Sequence, residues 1–152
     1  MQQPAAARCI LDDLDKHLLE EISKSKDLSA LAERYYAFLT SAEFENEVVI
    51  PELRKVIGGG DVICFEYLKL IWESLSDKVK QHIRFCVVSD LQKTFHQEFL
   101  FSTCDFKPLF NQVYSKVLQK FSPLDNFDQI FMNDFVSVIS NPEFQIKAKA
   151  LC

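Results

Sequence analysis

Glycine and proline are both scarce in this 152-residue chain: three glycines, all at Gly58-Gly59-Gly60, and five prolines, at positions 4, 51, 108, 123 and 142. Hairpins and bulges draw on glycine, so its scarcity elsewhere excludes a protein made of many short strands and turns. Long apolar runs are missing as well. Phe85–Val88, inside Arg84-Phe85-Cys86-Val87-Val88-Ser89, extends for four residues, against roughly 20 for a membrane span, so no membrane insertion is expected. The five cysteines, Cys9, Cys64, Cys86, Cys104 and Cys152, are widely spaced with no Cys-x-x-Cys pair, which excludes a disulfide framework. Cys64 and Cys86 fall in apolar helical stretches and read as small buried hydrophobes. Met1 to Arg8 lacks the charged start and apolar stretch of a secretory signal, and Asp12, Asp13 and Asp15 oppose a transit peptide, so a cytoplasmic or nuclear setting is expected. A net charge of −5 gives no overall field for nucleic acid or anionic lipid.

What the chain does have is apolar residues at helical spacing, making up 48% of the sequence with other hydrophobics and enough for one core without metal or disulfide. Ile10, Leu14, Leu18 and Ile22 predict a first helix, with Leu11 and Leu19 beside the stripe. Asp27 opens a second through Leu28, Leu31, Tyr35, Phe38 and Leu39, and Ser41 caps a third through Val49, Leu53 and Val56 that Pro51 is expected to split. After the glycines, Asp61 caps a central helix with Cys64, Leu68, Ile71 and Leu75 on one side and Phe65, Tyr67 and Trp72 on others. Ser76-Asp77 starts a fifth through Val79, Ile83, Val87, Leu91 and Phe95, with a break near Ser89-Asp90. The clearest stripe is Phe106, Leu109, Phe110, Val113, Tyr114, Val117, Leu118 and Phe121, ended by Ser122-Pro123. A seventh helix runs from about Asp125 through Phe127, Ile130, Phe131, Phe135 and Val138, and an eighth from Pro142 to Cys152. The expectation is a single all-α domain of seven or eight helices over 1–152.

Reactive constellations are thin. Gly58-Gly59-Gly60-Asp61 lacks the preceding strand and the following Lys-Ser or Lys-Thr of a phosphate loop and reads as a helix stop followed by a cap. His82 and Cys86 lie four apart on one helix, but zinc takes three or four ligands, and His17 and His96 bring no comparable partners beyond Glu98. Glu43, Glu45, Glu47 and Glu52 suit the positive end of a helix. Lys78, Lys80, His82 and Arg84, with Lys93, offer a helix face that could dock an acidic partner. Most of the fourteen phenylalanines continue core stripes, while Phe99, Phe101 and Phe106 crowd the turn at 102–105 beyond what a turn needs. No catalytic residue, metal site or cofactor is expected.

Two stretches a hundred residues apart say nearly the same thing: Leu39-Thr40-Ser41-Ala42-Glu43-Phe44-Glu45 and Ile139-Ser140-Asn141-Pro142-Glu143-Phe144-Gln145. In the second, Asn141 can cap a helix, Pro142 fits its first turn and Glu143 faces its dipole. Asn141-Pro142-Glu143-Phe144-Gln145-Ile146-Lys147-Ala148 resembles the start of the second helix of a HEAT or armadillo repeat, with Phe and Gln where that pattern carries Val and Arg. The resemblance implies an irregular HEAT/armadillo-like α-solenoid segment, a closed helical bundle being the alternative. It also implies a non-catalytic interaction or scaffold module whose helical surface meets another protein; a bundle holding an apolar ligand or lipid is the alternative. The candidate contact residues are Lys78, Lys80 and Arg84 on the basic helix and Phe144, Ile146 and Leu151 on the last one. That last stripe reaches Cys152 with no C-cap glycine, so the chain reads as part of a longer helical protein. The continuing stack, or a partner helix, is expected to meet this C-terminal end.

Overall fold

A computed structural model of the chain describes residues 17, 20–22, 24, 27–58, 63–102 and 107–151, and the side chains of these apart from 94–102 and 107. Among the described residues the protein is all-helical, with eight α-helical segments and no strand. The stripe Ile10, Leu11, Leu14, Leu18 and Leu19, the cap Asp61 and Phe106 lie outside what is described, as do the side chains of Phe99 and Phe101.

The predicted caps set the first boundaries. Asp27 accepts hydrogen bonds from the Ser29 and Ala30 N–H groups, both at 3.1 Å, and starts α1, Leu28–Leu39. Leu31, Ala32, Tyr35 and Leu39 form its buried face, with Leu28 and Phe38 at the margin. Ser41 accepts from Phe44 N–H at 3.2 Å and opens α2, residues 42–57. Pro51 does not split α2. An α-helical turn, Ala42–Phe44, widens into a π-helical turn, Glu45–Val49, before α-helix resumes at Ile50–Ile57. The Ile50 N–H reaches back five residues to the Glu45 carbonyl. Proline lacks a donor and its ring crowds the carbonyl four residues back, so one wide turn ahead of it lets the helix continue. Gly58 then takes φ +79° and donates to the Arg54 carbonyl at 2.9 Å, which is the glycine stop the sequence predicts.

α3 is Phe65–Ser74, a start later than expected, with Cys64 outside the helix at the cap position. Cys64 and Cys86 are both free thiols on the exposed side, correcting their assignment to the core. Leu68, Ile71, Trp72 and Leu75 are the residues α3 and its end bury. α4, Asp77–Ser102, is one uninterrupted helix of 26 residues, so the break predicted at Ser89-Asp90 is absent. Serine and aspartate cost a helix interior only tenths of a kcal/mol, and the buried Val88 and Leu91 on either side hold this stretch against the core. α5, Lys107–Leu118, buries Phe110, Val113, Tyr114 and Val117. It ends before Ser122-Pro123, in a tight turn that tucks Phe121 into the core at 1% exposure. α6, Phe127–Ile139, follows Asn126 in the left-handed conformation (φ +58°), and α7 is Pro142–Leu151.

Packing joins distant parts of the chain. α1 lies on α5, α2 on α3, α4 on α5 and α6, and α3 on both α6 and α7. The α1–α5 seam carries a Tyr36–Phe121 ring contact at 5.3 Å, Lys120 over the Tyr36 ring, a Lys120–Glu33 ion pair and a Lys116–Ser29 hydrogen bond of 3.1 Å. Phe44 is fully buried, whereas the Ser41 side chain acts locally. Phe44→Ala is therefore expected to cost about 3–5 kcal/mol, and Ser41→Ala about 1 kcal/mol. Urea denaturation of the two variants measures both, and equal losses would contradict the packing described.

Candidate functional site

The residues of the basic helix do not share a face. Lys78, Lys80, His82 and Arg84 stand two apart, and on an α-helix residues i and i+2 point to different sides. Lys78 and Lys93 are exposed, Lys80 is half-buried, His82 is buried and Arg84 turns inward. The Arg84 guanidinium lies over the Trp72 ring at 5.2 Å and forms an ion pair with Glu45, the first residue of the π-helical turn, their side chains being 15% and 21% exposed. Burial lowers its pKa, with Tyr36 opposing. Lys80, one turn earlier on the same side of α4, comes within 5.9 Å of the same ring. Arg84 thus joins α2, α3 and α4. The acidic group is dispersed in the same way, since Glu45 pairs with Arg84 and Glu52 with Lys55 at 2.8 Å.

His82 and Cys86 are not arranged as base and nucleophile. His82 Nδ1 accepts a hydrogen bond from Leu124 N–H at 3.0 Å, so that nitrogen is occupied. Burial, and then the Asp90 carboxylate, push the Cys86 thiol pKa up, away from the thiolate a nucleophile needs. Among the described residues no group of three His, Cys, Asp or Glu side chains could hold a metal ion, and no helix is long and apolar enough to cross a membrane.

The C-terminal residues behave differently from one another. Asn141 accepts from Glu143 N–H at 2.8 Å and starts α7, as its sequence predicts. Phe144 points inward at 6% exposure and meets the Tyr67 ring edge-on at 5.8 Å, while Ile146 is 70% and Leu151 41% exposed. Two open clefts flank α7. One, of about 200 Å³, lies against α6 between Ser74, Asp134, Ser137, Asn141 and Glu143; the other, of about 380 Å³, lies against α3 between Glu66, Lys69, Leu70, Glu73 and Leu151. Lys147 borders both.

α6 supplies exposed apolar residues that the stripe reading misses. Met132 is 52% and Val136 49% exposed, one turn apart, and the exposed residues beside them are Gln129, Asn133, Ser137 and Ser140. Within 129–142 the one charged residue is Asp134, and its carboxylate accepts from Ser76 N–H at 3.0 Å, capping the start of α4. The outer face of α6 is therefore apolar or neutral from end to end of this stretch. The signal present in the sequence was this gap in charge, rather than any apolar period. Compared with protein-family models, curated proteins and solved structures, the chain matches none.

The Glu45–Arg84–Trp72 cluster yields a direct stability test. Arg84→Lys is expected to lose about 1 kcal/mol, because an ammonium cannot both pair and stack as a planar guanidinium does. Arg84→Met is expected to lose about 3 kcal/mol by stranding Glu45, and adding Glu45→Gln should recover most of it. Trp72 is the chain's one tryptophan, so its fluorescence reports the unfolding. Losses below about 0.5 kcal/mol, the size of ordinary surface changes, would refute the role given to Arg84.

Proposed function

We propose that the protein is a non-catalytic interaction module and that its α6–α7 end is the surface it offers to another protein. One observation carries this reading: beyond Asp128 in its first turn, the outer face of α6 is uncharged, with Met132 and Val136 half exposed, and it adjoins a helix that exposes Ile146 and Leu151. Interface centres are depleted in charge and enriched in apolar anchors such as methionine, whereas isolated exposed apolar residues carry no such meaning. Phe144 holds α7 in place and is not itself offered to the partner. On the basic helix, Lys78 remains available, while Lys80 and Arg84 are engaged with Trp72. The proposal therefore shifts the contact surface from the basic helix to the chain's last two described helices.

A helix of a partner, or a continuing helical stack in the manner of HEAT and armadillo proteins, suits such a surface. The packing of α1 on α5 supports the closed-bundle alternative for the body of the domain, because stacked repeats contact only their neighbours. A protein partner is favoured over nucleic acid by the net charge of −5, and a cytoplasmic or nuclear setting belongs to the same reading.

The test is photo-crosslinking from position 133 in extract, followed by mass spectrometry. A single protein species captured by the native sequence should fall at least about tenfold with Met132→Asp/Val136→Asp, and should persist with Lys78→Glu. Circular dichroism confirms that each variant is folded. Equal capture by native and α6-variant chains, or turnover of a small molecule with no captured protein, would overturn the proposal.

A further inference from the structure

We propose that His82 is a pH-sensitive latch that orders the entry to α6, so that acidification loosens the helix bearing the proposed docking face; this rests on the functional reading above for its consequence, though not for its chemistry. The imidazole is 8% exposed, stacks on Phe127 of α6 with centroids 4.0 Å apart, and meets Phe85 of its own helix at 5.8 Å. Its Nδ1 accepts from Leu124 N–H at 3.0 Å. That contact requires a lone pair at Nδ1, hence the neutral ring with its proton on Nε2.

Little else fixes the segment that enters α6. Among the described residues, the segment 122–126 is tied to a side chain through the Leu124–His82 bond. Asn126 takes a left-handed conformation at the helix start and provides no side-chain cap. The first turn relies on the Asn126 carbonyl, which accepts from the Gln129 and Ile130 N–H groups, both at 3.1 Å. A proton placed on Nδ1 would confront the Leu124 N–H donor with a second donor. It would also place a cation among Phe85, Phe127 and the core side of α4. The bond would break, and the ring could regain water only by leaving Phe127.

The charged groups around it do not reverse this. On α4, Lys78 stands one turn before His82 and the raised-pKa thiol of Cys86 one turn after. The entry segment and first turn of α6 bring Asp125 and Asp128, both exposed. From α5 and the turn after it, Lys116 is bonded to Ser29 and Lys120 is paired with Glu33; from α3, the exposed Glu73 offers its backbone carbonyl to Lys80 at 3.5 Å. Burial is the cause that dominates, and it lowers the histidine pKa from 6.5. The sign follows. The folded chain holds His82 neutral where the unfolded or locally opened chain already binds a proton, so the latch is fully closed above 6.5 and weakens as pH falls below it, down to the folded-state pKa.

Hydrogen exchange on the free 152-residue chain tests this at pH 7.5 and 5.5, with rates corrected for intrinsic pH dependence. Protection at Leu124, Gln129 and Ile130 is expected to fall severalfold at the lower pH, with about tenfold the most that one proton and an open-state pKa of 6.5 allow over this interval, while amides of α1 and α5 hold theirs. His82→Asn keeps an acceptor near the Nδ1 position and cannot titrate, so its protection should match at both pH values. Unchanged wild-type protection, or the same acid-induced loss in His82→Asn, would overturn the latch. Should that variant fail to fold, long-range proton–nitrogen spectra of the native chain decide the matter: a lone pair at Nδ1 at pH 7.5 supports it, a proton there overturns it. Because no partner is involved, failure of the latch leaves the docking proposal standing. Loss of docking with an intact pH response would refute only the docking surface.

Discussion

The contact between α1 and α5 is the constraint on which the remaining packing depends. It brings residues 28–39 onto 107–118 and so closes a loop of some eighty residues, containing α2, α3 and α4. Closing a loop of that length costs on the order of 4 kcal/mol in chain entropy beyond a constant. Each large side chain taken from water returns about 1.5–3 kcal/mol. Leu31, Tyr35 and Leu39 from one helix and Phe110, Tyr114 and Val117 from the other therefore offset the closure with their own burial. Polar contacts at the rim, Lys116 to Ser29 and Lys120 to Glu33, add register more than energy, since exposed pairs are worth little.

Within that closure, α4 is the element the polar bonds converge on. Glu45 of α2 reaches Arg84, Asp134 of α6 caps the start of the helix at Ser76, and Leu124 ahead of α6 binds His82. Each links α4 to another element, and those at Arg84 and His82 sit against aromatic rings, where an alternative arrangement would strand a donor or charge. Apolar burial would tolerate some sliding of one helix along another. These directional bonds do not, and they fix the rotation of α4 so that Val79, Ile83, Val87 and Val88 face inward.

The local grammar of the fold was legible in the sequence. Asp27, Ser41 and Asn141 cap where short acceptor side chains are expected to, Gly58 stops α2, and the stripes of α1 and α5 name most of their buried residues, Leu109 being exposed instead. What was not legible depends on contacts between helices. Pro51 alone indicates a disturbed helix, but whether the backbone breaks or widens is decided by Val48, Val49, Ile50 and Leu53, all of which must stay in the core. Arg84 reads as solvated because arginine usually is; its inward turn requires Trp72 and Glu45 to be brought alongside by other helices. The same reasoning misplaced Cys64 and Cys86. Apolar surroundings along the chain say nothing about which side of the helix a thiol occupies. The face of α6 was hidden for the opposite reason: its half-exposed methionine and valine extend an apolar pattern that by itself reads as core.

The paired Glu-Phe turns show how one local solution serves two different ends. In each, a polar cap is followed by glutamate on the exposed side and phenylalanine on the buried side, and the turn redirects the chain from one helix into the next. Phe44 enters a dense part of the core, with Phe38 at 5.7 Å and the buried Val48 and Val49 following on the same helix. Phe144 meets Tyr67 at the margin, and the next residue of α7 packed against the core is the partly buried Ala148, one turn on. A stripe of one phenylalanine and one alanine is narrower than the face by which a helix ordinarily holds to its domain. α7 consequently belongs to the weakly held part of the structure, where local opening costs less than global unfolding. A partner that covered Ile146 and Leu151 would complete the missing half of its apolar surface, so docking and the ordering of this helix would be one event.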